Sequence, residues 1–179
     1  TILDGVLSTE RAKAMSGRGR SNAKAGTKYK AAALSLVLHS KSPMVPTFRS
    51  DIRLFALEDG PAWYGGGMDL TPYYLFDEDC KEFHKKCQVI CKKYDDNNNV
   101  LYKEMKKNCD DYFYIPCRQE HRGIGGIFFD DLEMIHDDAD YARRFTEDVC
   151  KGWMDAYLPI AERRRHLDYT DEQRHWQLL

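Results

Sequence analysis

The sequence lacks the features that define membrane, fibrous and disulfide-rich proteins. No apolar run approaches the roughly 20 residues that a membrane-spanning helix needs, and the longest covers only residues 31–38. The six cysteines form no Cys-x-x-Cys pair, and a chain of 179 residues needs no disulfides to bury a core. Its 42% apolar and 31% charged residues exclude collagen-like and disordered classes. We therefore expect one soluble domain over residues 1–179, with reduced thiols and no integral membrane segment.

Acidic residues are absent from residues 11–50, a segment that contains nine lysines and arginines. The net charge of −2 hides this segment because the rest of the chain is acidic. A block of positive charge favours an anionic partner, which is a nucleic acid, a membrane surface or a polycarboxylate. A solvated basic loop explains the same pattern, and the glycine-broken residues 16–27 fit such a loop. Since the segment has few aromatic residues to stack on bases, we expect no nucleic-acid partner.

A strand that begins at residue 47 is predicted to carry three charged side chains on one face. Arg49, Asp51 and Arg53 alternate with small or apolar residues, including Ile52, that point the other way. Neighbouring arginines are costly to hold together, and arginine binds carboxylates in bidentate geometry. We therefore predict a carboxylate-binding site on the charged face, with a solvated edge strand as the alternative.

The other predicted elements are strands mixed with helices, which indicates an α+β fold. They are a strand over residues 34–39, a buried strand over 125–132, helices over 77–94, 100–112 and 138–157, and a capping-box helix from Thr170 that runs to the chain end. Pro159 is expected to stop the third of these helices. Asp130 and Asp131 should face opposite ways and so should not serve one site. Three glycines at 65–67 let the backbone approach a neighbour closely, just before Asp69.

Cysteine and histidine recur on one stripe of the predicted helix 77–94. The stripe consists of Cys80, His84, Cys87 and Cys91. A soft-metal site on it would need ligands from elsewhere, because the outer two residues lie about 16 Å apart at 1.5 Å per residue. Core packing is therefore the favoured interpretation. His39 shares a strand with Ser35, and a hydrogen-bonded histidine is favoured there over a ligand or a base.

Three motifs together resemble one enzyme family. They are WYGGGMDLTPYY at residues 63–74, CDDYF at 109–113 and RGIGGIFFDDL at 122–132. With shorter matches at 45–47, 157–164 and 176–178, the chain resembles oxygen-dependent coproporphyrinogen III oxidase of haem biosynthesis. This resemblance implies a flat antiparallel sheet flanked by helices on both faces, incomplete at both ends in this chain, and a homodimer. The motif sequences are more similar to those of bacterial-type members than to those of animal mitochondrial members. This similarity implies a cytoplasmic protein, with a mitochondrial one as the alternative.

The resemblance also implies a reaction and a set of site residues. Members convert two propionates of coproporphyrinogen III to vinyl groups with O₂ as co-substrate, release CO₂ and peroxide, and need no organic cofactor. Asp69 would hold the pyrrole N–H groups and help polarise the ring, and Arg53 would pair with a propionate. Ser35, Asp51 and Ile52 would line the substrate with them.

The chain departs from the family pattern Thr-x-His-x-Asn-x-Arg in the charged strand. Arg49 stands where the proposed proton donor, a histidine, is found, and Asp51 replaces the asparagine. An arginine stays protonated at neutral pH and cannot cycle a proton as imidazole does. Two functions therefore stay open: the oxidase, with Arg49 as a third catalytic candidate, or an inactive homologue that binds porphyrin or a dimer partner. His39 and His84 stand at positions sometimes assigned to a divalent metal, whose role in the family is disputed.

Overall fold

The computed structural model describes residues 1–17, 19–20, 23–58, 60–95, 98–135 and 138–178. Arg18 of the basic segment and Leu179 lie outside the described residues. The chain has the predicted α+β fold. In chain order the elements are β1 (Ile2–Val6), α1 (Thr9–Ser16), β2 (Lys28–Leu38), β3 (Thr47–Leu57), β4 (Ala62–Thr71), α2 (Asp77–Lys92), α3 (Val100–Tyr112), β5 (Tyr114–Ile115), β6 (Glu120–His121), β7 (Gly125–Leu132), α4 (Ala139–Arg164) and α5 (Asp171–Trp176).

Five strands form one antiparallel sheet in the order β1-β2-β3-β4-β7, while β5 and β6 form a separate two-stranded hairpin. Helices α2 and α4 pack on one face over the main core, where Phe48, Met68 and Phe129 of the sheet are buried. Helix α1 packs on the opposite face, and a second core cluster there includes Trp63, with Phe55 packed against it. Helices therefore lie on both faces, as predicted. No helix among the described residues is long and apolar enough to cross a membrane.

The sheet extends further than the sequence pattern predicts. Strand β2 begins at Lys28 instead of residue 34, because β1 pairs with it from Ile2↔Ala32 to Val6↔Lys28. Its first half carries alanines and lysines without a clear hydropathy alternation, so pairing with β1 and β3 defines it rather than side-chain pattern. Helix α1 is not predicted from the sequence pattern and precedes the predicted basic loop at residues 16–27; Ser8 caps the helix by accepting a hydrogen bond from the Arg11 N–H.

The prediction that Pro159 ends its helix is wrong, since α4 continues through Pro159 to Arg164. A proline removes one backbone donor, and the residues beyond it anchor the last turn strongly enough to offset that loss. Ile160 is fully buried, and Arg164 Nε donates to Asp79 Oδ2 at 2.8 Å. The capping box of α5 is confirmed by both of its hydrogen bonds, although the helix ends at Trp176 rather than at the chain end.

Candidate functional site

The charged face of β3 meets charged and polar partners on both neighbouring strands. Arg49 pairs with Asp69 of β4, and Asp51 pairs with Ser35 of β2. Paired residues of an antiparallel sheet point to the same face, so Arg53, two residues further along, joins this group. A cavity of about 390 Å³ lies over this face and is lined by all five residues. The predicted site residues on the charged face are therefore brought together; this cavity is called the first cavity below.

Ile52 lies on the other face of the sheet, although the family resemblance groups it with the substrate-lining residues. Its side chain packs against the main core and does not line the first cavity. The alternation of β3 explains this position, because Ile52 falls between two residues of the charged face.

The glycines of β4 leave the room that the charged side chains occupy. Gly65 pairs with Arg53, and a Cβ on Gly65 would stand 2.9 Å from Arg53 Nε and 2.7 Å from Asp130 Oδ1. At Gly67 a Cβ would stand 2.2 Å from the carbonyl oxygen of Ile127 on β7. The sequence predicts that these glycines let the backbone approach a neighbour closely. In the structure the neighbours are the two strands that pair with β4.

Asp69 is a buried carboxylate paired with a residue from the loop before β7. Arg122 Nη2 donates to Asp69 Oδ1 at 2.8 Å and to Oδ2 at 2.9 Å, and its guanidinium stacks 3.7 Å from the centroid of the Phe113 ring. Burial raises the pKa of Asp69, while Arg122 and then Arg49 act in the opposite direction. Burial therefore disfavours the ionised form of Asp69, and the contact with Arg122 favours it.

Arg53 lies between two carboxylates on the same face. Its Nη1 is 3.2 Å from Asp51 Oδ2, and its Nη2 is 3.6 Å from Asp130 Oδ1. Burial raises the pKa of Asp51, and Arg53 opposes that rise. The guanidinium carbon of Arg53 also lies 5.9 Å from the centroid of the Phe128 ring, which lines the same cavity. Both ion pairs of Arg53 are 3.2 Å or longer, and among the described residues its Nη2 has no hydrogen-bond partner. Arg53 therefore has an N–H donor that a ligand carboxylate can use.

Arg49 contributes a cation that, among the described residues, forms no hydrogen bond with a carboxylate. Its Nη1 donates to the neutral hydroxyl of Thr71 at 2.8 Å. Burial lowers the pKa of Arg49, and the nearby Arg122 lowers it further, while Asp69 acts in the opposite sense. The cavity thus presents carboxylate-binding groups around a single buried acid, which is the arrangement expected for an anionic ligand that also carries hydrogen-bond donors.

One family model matches the whole chain, and this match decides the family. The model is that of coproporphyrinogen III oxidase, and it matches residues 1–179. The chain belongs to the coproporphyrinogen III oxidase family. Membership assigns it to the class of haem-biosynthesis enzymes and implies coproporphyrinogen III as the substrate.

The two histidines considered as metal positions in this coproporphyrinogen oxidase relative have separate protein partners. His84 Nε2 is 3.0 Å from the carbonyl oxygen of Ile124, which can only accept, so Nδ1 accepts from the Tyr102 hydroxyl at 3.0 Å. Burial lowers the pKa of His84, which disfavours the charged imidazolium. His39 Nδ1 lies 3.3 Å from Thr47 Oγ1. In the described part of the chain no three histidine, cysteine or acidic side chains are grouped as metal ligands.

Core packing is confirmed for two of the four residues of the stripe, whereas Cys80 and His84 are half-buried. Cys87 and Cys91 are buried in the main core cluster. Burial raises the pKa of Cys91 to about 12, so this thiol stays protonated and unreactive at neutral pH.

Two features of the site do not follow from the sequence patterns. Arg122 lies outside any periodic segment, 53 positions from Asp69, and its only sequence signal is its place as the single cation in the motif at 122–132. Asp130 and Asp131 are predicted to serve different sites, yet both line a second cavity of about 410 Å³. That prediction is wrong because Asp131 has φ of +52° and the register of β7 against β4 shifts nearby, which breaks the alternation.

Proposed function

We propose that the protein is an oxygen-dependent coproporphyrinogen oxidase that converts two propionates of coproporphyrinogen III to vinyl groups and gives protoporphyrinogen IX. The observation that most supports this function is the meeting of Asp69 with three arginines at one cavity. Each propionate loses CO₂ and two hydrogens, and one O₂ accepts two electrons and two protons to become H₂O₂. The porphyrinogen itself supplies the electrons, so the proposal needs no organic cofactor.

In this proposal Asp69 holds the pyrrole N–H groups of the substrate. Arg122 Nη2 contacts each Asp69 oxygen once, and a carboxylate has further lone pairs for N–H donors. Arg49 and Arg53 bind propionate carboxylates, for which the guanidinium geometry is suited. Phe113 and Phe128 line the same cavity and provide apolar surface for the macrocycle.

The activity is tested with anaerobically prepared coproporphyrinogen III that is mixed with the protein in air. We expect protoporphyrinogen to appear on chromatography, with one H₂O₂ per vinyl group formed. The Asp69→Asn variant should lose this product while uncatalysed oxidation to coproporphyrin continues. Absence of vinyl products from the wild-type protein contradicts the proposed activity, and adding EDTA to the same assay tests a need for a divalent metal.

Arg49 favours a second candidate function, an inactive homologue that binds porphyrin or a dimer partner. The guanidinium is fixed to Thr71 and remains protonated at neutral pH, so it is a poor proton donor. If position 49 must donate a proton, Arg49→His should raise turnover. An equal rate in both proteins removes this objection to catalysis, and porphyrin binding without turnover in either protein favours the second candidate.

The proposal extends to assembly and compartment. We propose a homodimer in the cytoplasm, as the family resemblance implies. Analytical ultracentrifugation tests the first, with sedimentation as a monomer at micromolar concentration contradicting it. Fractionation of source cells tests the second.

A further inference from the structure

The second cavity adjoins the first and is not used by the proposed reaction. The two cavities share Arg53, which lies at their junction. Helix α1 contributes Arg11 and Met15 to the second cavity, while Phe55 and Trp63 contribute aromatic surface from the sheet. Part of the basic segment at residues 11–50 is therefore placed beside the candidate active site.

Three stacked rings hold two arginines at this cavity. Tyr29 stacks on Phe55 at 4.8 Å between centroids, and Phe55 stacks on Trp63 at 4.9 Å. The guanidinium carbon of Arg11 lies 5.2 Å from the Tyr29 centroid, and that of Arg20 lies 4.6 Å from the Trp63 centroid. The ring faces attract both cations and favour these positions beside the cavity.

The arginines of the second cavity differ in whether protein carboxylates neutralise them. Arg20 and Arg53 each form salt bridges with two acidic side chains. In the part of the chain that the structure describes, no carboxylate forms a salt bridge with Arg11, whose guanidinium donates to the neutral hydroxyl of Tyr29 at 3.3 Å. Arg11 is also exposed to solvent. It is therefore an oriented cation that a ligand can reach and that no acid of the described residues neutralises.

We propose that the second cavity is a subsite for a carboxylate of the same substrate and that Arg11 binds this carboxylate. The inference rests on the proposed function, in which Asp69 holds the pyrrole N–H groups of the macrocycle in the first cavity. A tetrapyrrole with a propionate on each of its four pyrroles extends carboxylates in several directions from that point. Arg53 at the junction and Arg11 beyond it would hold a propionate that is not reacting and so fix the orientation of the macrocycle.

The test measures binding of coproporphyrin III, the unreactive oxidised tetracarboxylate, by its fluorescence in the full chain. The variants are Arg11→Gln, Arg11→Lys and Lys13→Gln, the last being a matched loss of one charge from an exposed position of α1 that lines neither cavity. Coproporphyrin III tetramethyl ester provides a ligand of the same shape without charge. We expect Arg11→Gln to weaken coproporphyrin III binding about fivefold, as for a partly exposed ion pair. Arg11→Lys should retain most of the affinity.

Two controls distinguish carboxylate binding by Arg11 from a structural role in fastening α1. Lys13→Gln should bind coproporphyrin III as the wild type does, and Arg11→Gln should leave ester binding unchanged. Unchanged coproporphyrin III affinity in Arg11→Gln overturns the subsite, as does an equal loss for acid and ester with a lower melting temperature, which indicates that Arg11 only fastens α1. If the wild-type protein binds the acid but forms no vinyl product, the proposed activity fails and the subsite stands. If it forms vinyl product but does not bind coproporphyrin III, the activity stands and the subsite is overturned.

Discussion

Replacing Arg122 by methionine should destabilise the protein by an amount that depends on pH. The Arg122 and Asp69 side chains are 30% and 8% exposed, and the bonds between them are 2.8 and 2.9 Å long. Unit charges about 4 Å apart interact by about 4 kcal/mol at an effective dielectric constant of 20. Because Arg122 retains some contact with water, we expect a loss of about 2 to 3 kcal/mol near neutral pH, below the usual cost of breaking a fully buried pair.

The pH dependence follows from Asp69. Burial raises its folded-state pKa above the ordinary 3.8 even with Arg122 present, so this carboxyl contributes stability at low pH that is lost as the pH rises through the folded-state pKa. Removing Arg122 raises the folded-state pKa further. The difference in unfolding free energy between wild type and Arg122→Met should therefore grow as the pH rises from the pKa of Asp69 in the folded wild type to the higher pKa of Asp69 in the folded variant. Above the second of these values the difference should stay constant.

Urea unfolding from pH 4 to pH 8 measures this difference, and a double-mutant cycle with Asp69→Asn isolates the pair. Lys28→Met is the matched control, because Lys28 pairs with Glu58 at 3.1 Å while both side chains are more than half exposed. The control should change stability by less than about 1 kcal/mol. A loss in Arg122→Met that is the same at every pH, or a coupling energy below about 0.5 kcal/mol, refutes the reasoning.

Two further predictions concern packing and titration. Gly126→Ala should destabilise the protein by about 3 kcal/mol or more, because the new Cβ would stand 1.9 Å from the Met68 carbonyl oxygen. Gly17→Ala is the control and should be tolerated, because its Cβ would stand 3.5 Å from the Ala14 carbonyl oxygen. The urea unfolding midpoints of the two variants measure the difference. Burial lowers the pKa of His84 below the ordinary 6.5. The stability that the neutral imidazole contributes is therefore present above pH 6.5 and is lost as the pH falls through the folded-state pKa. Between about pH 7.5 and 5.5 the urea unfolding midpoint should fall less in His84→Gln than in the wild type.

Local patterns predict the charged face because strand alternation depends on few distant contacts. The two-residue period of β3 places Arg49, Asp51 and Arg53 together, and the structure confirms that placement. The same period places Ile52 in the core, so the pattern is a better guide to its side chain than the motif around it. Strand β1, by contrast, exists because it pairs with β2, which no local pattern shows.

Tertiary contacts decide the parts of the site that the sequence does not predict. A strand with three glycines has little intrinsic preference for extended structure, yet β4 is central because β3 and β7 pair with it on both sides. The β5–β6 hairpin returns the chain to Phe113, whose carbonyl oxygen accepts from the Arg122 N–H at 3.1 Å and whose ring lies beneath the guanidinium that binds Asp69. Long-range partners of this kind leave no periodic signal in the sequence.

The distribution of charge in the first cavity has opposite consequences for binding and for catalysis at position 49. Arg122 is neutralised by Asp69, and Arg53 has Asp51 and Asp130 nearby, whereas Arg49 donates to the neutral hydroxyl of Thr71. Burial and Arg122 both disfavour the Arg49 cation, so a substrate carboxylate that binds there relieves a cost already present in the protein. A histidine could instead release its proton near neutral pH. Arg49→His should therefore weaken coproporphyrin III binding even if it raises turnover, and a variant that binds the tetracarboxylate more tightly would show that Arg49 does not serve as a carboxylate-binding cation.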